Sequence, residues 1–312
     1  MRLGRRIVQL IFGAEVDSAL RPVLAVQLVG SMAGSTLWSF MAIWAVEELD
    51  GKSLLPFSFA VGAVLAGVSG FVGGSLSDRV GRRSVILFGN GVMVGYPLVL
   101  LAIGDRTVAG IVALSLAGVF GALGGSVGQA MVADLVPRHR HAEAYASVRV
   151  ASNFGVVMGP PLGGVLLIAG SWTALFIGVC ALSALSWLFA FRFLPQRGRY
   201  APDEPPAKGS NRIILRDTPF LLFLGSAIFA WLVYVAYEIV LPVSLVDGFG
   251  YEPAAWGFLV WINPLLVTLF QMRLTRATAD VGAPKPSWWR SSSWVSPSRY
   301  SSGVTRCWSS SS

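Results

Sequence analysis

The sequence predicts an all-α protein that crosses a membrane about eight times, and three observations carry this. Hydrophobic residues make up 54% of the 312 and charged residues 13%, with a mean hydropathy of +0.65; a soluble domain carries roughly twice that share of charge. Eight apolar runs recur along the chain, each near the roughly 20 residues that cross a bilayer. The charges collect between them: of 24 Lys and Arg residues, only Lys52 and Arg106 fall in loops assigned to the outer side. That asymmetry places the N-terminus in the cytoplasm. The net charge of +8 therefore reflects topology, and no nucleic-acid-binding face is expected.

Residues 1–21 form a basic cytoplasmic segment with Arg2, Arg5, Arg6 and Arg21, whose apolar patch at 7–12 is too short to span and is no clean signal peptide. Span 1 covers about 22–46 and is rich in Gly, Ser and Ala, which allow close helix approach. Glu47, Glu48 and Asp50 make an acidic outer loop before span 2, at 54–76. Span 3 covers 84–103, Asp105-Arg106 turns outside, and span 4 covers 107–133. The basic loop Arg138-His139-Arg140-His141 returns inside, span 5 covers 144–168, and the short turn Gly170-Ser171 leads to span 6 at 172–193.

Residues 195–217 turn polar and proline-rich, as a cytoplasmic linker does. Span 7 covers 219–246, broken at Pro242, and span 8 covers 254–272 with a kink expected at Asn263-Pro264. The division is thus 22–194 as a six-helix bundle, 195–217 as linker and 218–276 as a partial second bundle of two helices. Residues 277–312 are an aberrant Ser/Trp-rich tail. Residues 287–312 hold 12 serines with no helical or strand periodicity, which reads as a frameshifted or misread end in preference to a regulatory tail.

Chemistry of the enzymatic kind is not expected. There is no phosphate-cradling GxxxxGK[ST] loop, no His-Glu-x-x-His and no GxSxG, and the two cysteines, Cys180 and Cys307, have neither metal nor disulfide spacing. No cofactor and no metal are implied.

Between spans 2 and 3 lies Gly74-Ser75-Leu76-Ser77-Asp78-Arg79-Val80-Gly81-Arg82-Arg83, which reads as a tight basic loop. It resembles the signature loop between helices 2 and 3 of the major facilitator superfamily: Gly, two residues, a small residue, Asp-Arg, one residue, Gly-Arg and a second basic residue. An ordinary charged hairpin obeying topology is the plainer reading. In span 5, Gly155 and Gly159 form a close-approach pair, followed by Pro160, Pro161, Gly163 and Gly164. This is similar to the fifth-helix Gly-Pro signature of the superfamily's drug–proton antiporters, with helix packing alone as the other reading. The stretch from Asp134 through Arg140, Glu143 and Arg149 to Asn153-Phe154-Gly155 resembles the helix 4–5 loop of bacterial efflux members.

The resemblance implies two six-helix bundles related by an axis along the membrane normal. Here the first is complete and the second stops after two helices, so the chain reads as truncated or frameshifted after the eighth. It further implies a bacterial inner-membrane transporter that exports small lipophilic compounds against protons by alternating access. Sugar or peptide uptake is one alternative. An inactive fragment or helical scaffold is another, unless a second chain supplies the missing helices. In the family the signature loop and the acid at the position of Asp134 look like a charge latch against helix 11, so Asp134 is expected to pair with Arg79 or Arg82 in a latch whose helix-11 partner is missing from this sequence; simple interfacial charge near the cytoplasmic headgroups is the other reading.

Four residues form the candidate proton or substrate site. Glu238 is a carboxylate deep in span 7, and Tyr234 lies four residues earlier on the same face. Arg149 lies inside span 5. Gln129 is the strong polar group of span 4, where many antiporters of this group carry an arginine. Gln27, Trp38, Phe40 and Trp44 in span 1, with Trp231, Tyr234 and Tyr237 in span 7, could wall a pocket for lipophilic cations, or serve as interfacial anchors.

Overall fold

The computed structural model describes residues 18–49, 53–103, 106–198, 200, 217–266 and 270. The N-terminal segment before residue 18, most of the linker and the Ser/Trp tail lie outside those residues. Among these residues eight α-helices follow one another: α1 Arg21–Glu47, α2 Leu55–Val80, α3 Arg82–Ile103, α4 Thr107–Leu135, α5 His141–Gly170, α6 Trp172–Phe193, α7 Thr218–Val243 and α8 Pro253–Val260. Among the described residues there is no β-strand. Among the described residues seven helical segments are long and apolar enough to cross a membrane, while the eighth, Pro253–Leu266, is shorter. The chain separates into residues 1–268 and 269–312. All eight helices belong to the first unit, and only residue 270 of the second is described.

Several boundaries differ from the sequence reading. The stretch from Gly74 to Arg83 is not a loop: α2 stays helical through Val80 and α3 starts at Arg82, leaving Gly81 alone as the break. Local bonds explain the extension. Ser77 Oγ donates to the Gly74 carbonyl at 2.8 Å, Gly81 N–H closes the last turn on Ser77 at 3.0 Å, and Arg82 reaches back to Asp78 at 3.1 Å. The basic loop after α4 is a 3-10 turn, Arg138–Arg140, and α5 begins at His141. α7 continues through Pro242 and relaxes into a π-turn at Ser244–Gly248. In α8 the break falls at Trp261, after Val260, and not at Asn263-Pro264. The cause is still Pro264, which has no N–H for the carbonyl four residues before it.

Apolar burial is arranged for lipid. α2 buries Leu55 but otherwise only Ser and Gly, namely Ser58, Gly62, Ser69, Gly73 and Ser77, while Phe57, Val64, Val68, Phe71 and Val72 are exposed. Small residues let backbones meet and leave the large ones for lipid tails. The seam with α4 shows it: Gly62 lies on the Ser115 backbone, Gly118 lies on Ala66, and Ser69 Oγ donates to the Val119 carbonyl at 2.5 Å.

Two apolar clusters close the ends of the first six helices. One gathers Leu37, Phe40, Met41, Trp44, Leu100, Leu114, Leu175 and Phe176. The other, at the end that holds Gly81, gathers Leu20, Leu24, Val85, Val132, Leu135, Val148 and Leu194. The side chains of Phe40 and Trp44, expected as pocket walls, lie in the first cluster at 0% and 3% exposure. Trp44 stands edge-on to Phe176 there, 5.6 Å between centroids. These rings fill packing space between α1 and its neighbours.

Candidate functional site

The α2–α3 junction gathers charge around one guanidinium. Arg82 Nε donates to Asp134 Oδ2 at 2.5 Å. Its Nη1 donates to Ser77 Oγ at 3.1 Å and meets Asp78 Oδ1 at 3.1 Å. Three partners around one guanidinium suit the fixed fork of arginine. Asp134 lies in the last turn of α4 and is buried, so α2, α3 and α4 are tied at one point. Arg79, the other sequence-stated partner for Asp134, is exposed, and Gly74 is half-buried. Arg83 turns the other way. Its Nη2 donates to the Phe191 carbonyl on α6 and its guanidinium lies over the Phe191 ring, 5.8 Å from the centroid.

α5 places its glycines where the backbones of α1 and α8 come closest. A β-carbon at Gly155 would overlap the Leu28 carbonyl, one at Gly159 the Ser35 hydroxyl and the Met32 carbonyl, and one at Gly163 the Phe40 ring. Gly155, Gly159 and Gly163 recur every four residues, so they form one face against α1. Thr36 Oγ1 donates to the Gly159 carbonyl at 3.0 Å across that seam. Pro160 and Gly164 face α8: the Pro160 carbonyl lies against Gly257, and Gly164 against Ala254 and Phe258. α5 runs unbroken through Pro160 and Pro161.

Between the two apolar clusters lies a polar layer. Gln27 Nε2 donates to Ser31 at 3.1 Å and to Ser152 at 3.3 Å, and the two hydroxyls are 2.9 Å apart. Beside it is a cavity of about 220 Å³ among α1, α3, α4 and α6. Gln27, Ser31, Asn90, Ser183 and Ser186 supply its polar side chains, and Gly124 and Gly128 open its α4 wall. No ionisable side chain is among its lining residues. Asn90 and Ser183 were not singled out by sequence reasoning. An amide in an otherwise apolar run was the signal that could have found Asn90.

The residues of the candidate proton site are spread out. Glu238 is half-buried and accepts a hydrogen bond from Trp38 Nε1 at 2.6 Å, joining α7 to α1. Trp38 stands edge-on to Phe59 of α2, 5.3 Å between centroids. Tyr234 is exposed on the same helix. Glu238 lies five residues from the end of α7 and Gln129 six from the end of α4. Consecutive helices alternate in direction, so the two residues are counted from opposite ends of the molecule, Gln129 about 9 Å from one and Glu238, ten residues before Gly248, about 15 Å from the other at 1.5 Å per residue. Gln129 and Arg149 are both exposed, and the Gln129 carbonyl accepts from Tyr145 Oη at 3.4 Å. The sequence reading grouped these residues by polarity; the alternating helix direction separates them. The side chains of Trp231 and Tyr237 lie outside the described residues.

The family model described as Major Facilitator Superfamily matches residues 23–290. The chain is 27% identical to the "Na(+), Li(+), K(+)/H(+) antiporter" of Planococcus maritimus, over 81% of this chain and 68% of that protein. It is 28% identical to "Multidrug resistance protein D" of Escherichia coli (strain K12), over 49% of this chain and 36% of that protein. The chain thus spans little more than a third of the second relative's length. Among solved structures, that of a D-xylose-proton symporter aligns with a TM-score of 0.54 and 17% identity, covering 86% of this chain and 70% of that one. That likeness is one of fold.

Proposed function

Because the chain belongs to the major facilitator superfamily, a family of membrane transporters, we propose that it is a secondary active transporter that exports small lipophilic compounds in exchange for protons. The observation that carries the mechanism is the Arg82–Asp134 ion pair. It ties the α2–α3 junction to α4 at one end of the first bundle, and in this reading it sets the shape of the latch that would meet the second bundle in one state of an alternating-access cycle. The Lys and Arg asymmetry of the loops supports placing this end, and the N-terminus, on the cytoplasmic side of a bacterial cell membrane. In this reading residues 22–194 are the first bundle, 195–217 the linker and 218–276 the part of a second bundle present in this chain.

Exchange is supported by the relatives, one printed as an antiporter to protons and one as a multidrug resistance protein. A small, weakly polar substrate is supported by the cavity, which offers amides, hydroxyls and glycine backbone and no charge. Glu238 is proposed as the proton-carrying acid, placed where α7 meets α1 through Trp38. Rocking of α7 against α1 would make or break that bond, which couples its protonation to the state of the transporter.

The test is proton movement in proteoliposomes that hold the purified chain and a pH-sensitive dye. Adding chloramphenicol or ethidium is expected to drive a proton flux that empty vesicles do not show, and xylose is expected to drive none. A flux with xylose alone would replace export with sugar uptake. No flux with any probe, and no probe accumulation under an imposed pH gradient, would leave a helical scaffold without transport.

A further inference from the structure

The last turn of α4 is closed from far along the chain. After Leu135 the backbone goes extended at Val136, φ −131° and ψ 151°, so the final carbonyls of the helix lack intrahelical donors. The carbonyl of Asp134 takes its donor from Tyr200 N–H, 2.8 Å away. The segment that brings Tyr200 there leaves α6 at Phe193 and passes Gly198. Gly198 lies so close to Asp134 that a β-carbon would overlap the aspartate's Cβ, carbonyl carbon and carbonyl oxygen. The Tyr200 side chain stays 48% exposed, so the main chain makes the contact. Asp134 is also the residue whose carboxylate holds Arg82. One residue is therefore gripped twice, by its backbone from the segment after α6 and by its carboxylate from the α2–α3 junction.

We infer that Gly198 and Tyr200 are positioning residues for Asp134, so that the stretch just after α6 that carries them sets the Arg82–Asp134 ion pair. Tyr200 N–H fixes the height of the last α4 turn. Gly198, lacking a side chain, lets the segment lie flat on it. Displacing that segment moves the Asp134 backbone, and the carboxylate leaves the one direction from which Arg82 Nε can donate at 2.5 Å. Its meaning for transport rests on the proposed latch, but the coupling is a property of the fold and is measured without transport.

The experiment compares thermal unfolding midpoints of the full chain in detergent for Gly198→Val, Tyr200→Pro, Asp134→Asn and the two doubles that contain Asp134→Asn. Each single variant is expected to lower the midpoint by several degrees, and each double to fall no further than its worse single, as coupled neighbours do. Gly198→Val paired with Glu143→Gln, which breaks the separate Arg140–Glu143 pair, is expected to be additive. Additive losses with Asp134→Asn, or no loss from Gly198→Val, would overturn the positioning role. If Gly198→Val does not fold, Tyr200→Pro decides alone, since it deletes the donor and sets its ring Cδ, in place of the N–H hydrogen, against the Asp134 carbonyl. Coupled midpoints with an unchanged proton flux in proteoliposomes would keep the positioning role and end the latch reading.

Discussion

Gly81 and Ser171 break their helices with one residue each, in nearly the same backbone conformation. Gly81 has φ 89° and ψ 144°, and Ser171 has φ 94° and ψ −179°. Gly81 separates α2 from α3 and Ser171 separates α5 from α6, so the third helix of each consecutive triplet enters through the same kind of turn. A glycine adopts this region freely, but a serine does so at a cost. Ser171→Gly is therefore expected to raise stability by about 1 kcal/mol, and Gly81→Ala to lower it by about 1–2 kcal/mol. Thermal unfolding in detergent checks both, and a Gly81→Ala protein as stable as the parent would contradict the turn geometry.

Arg82 serves Asp134, Asp78 and Ser77 together, which a lysine cannot do from one point charge. Arg82→Lys is expected to destabilise by about 1–2 kcal/mol, at the lower end for charge-assisted bonds because the two side chains of the main pair remain 20% and 12% exposed. Exchanging the residues as Arg82→Asp with Asp134→Arg should recover part of the loss of either single reversal. No recovery, measured by unfolding midpoint, would argue against a direct pair.

The α1–α5 seam makes a sharp contrast between two glycines. Gly159→Ala places a methyl against the Met32 carbonyl and Thr36 nitrogen, backbone atoms that cannot turn aside, and is expected to cost about 3 kcal/mol or to prevent folding. Adding Ser35→Ala to Gly159→Ala should not rescue it. Gly34 has nothing within 4 Å of its would-be β-carbon, so Gly34→Ala should be neutral or stabilising by about 0.5–1 kcal/mol. The yield of monodisperse protein in size-exclusion chromatography reads out both.

Trp38→Phe removes the indole donor to Glu238 while keeping an aromatic edge against Phe59. Glu238→Gln keeps an acceptor for Trp38 but cannot exchange a proton. In proteoliposomes, Glu238→Gln is expected to abolish the dependence of substrate flux on the pH gradient, and Trp38→Phe to slow flux while leaving that dependence. A Glu238→Gln protein with intact proton-driven flux would remove Glu238 from the proton path.

Much of this was legible before any coordinate. The spans were readable because a bilayer demands a length, an apolar composition and internally paired backbone, and the small residues at Gly155, Gly159 and Gly163 were visible at helical spacing. The reading of Gly74 to Arg83 as a loop failed because charge was taken as a sign of turn. In the molecule Asp78 and Arg82 pair across Gly81 and keep both flanks helical. Gln129 and Glu238 were grouped because both are polar in apolar spans, yet helices of opposite direction carry them into opposite halves of the molecule.

The sequence by itself determined the class of the protein and the order of its spans, because those depend on lipid solvation; where several helices stop, at Val80, Val243 and Val260, it did not determine. Only the tertiary structure decided that Asp134 meets Arg82 and not Arg79, that Trp38 donates to Glu238, and that Tyr200 N–H caps α4. Those contacts depend on the rotation of each helix about its axis and its neighbours in the bundle. Rotation is set by which small residues let two backbones touch, a property of pairs of helices that no single stretch of sequence contains.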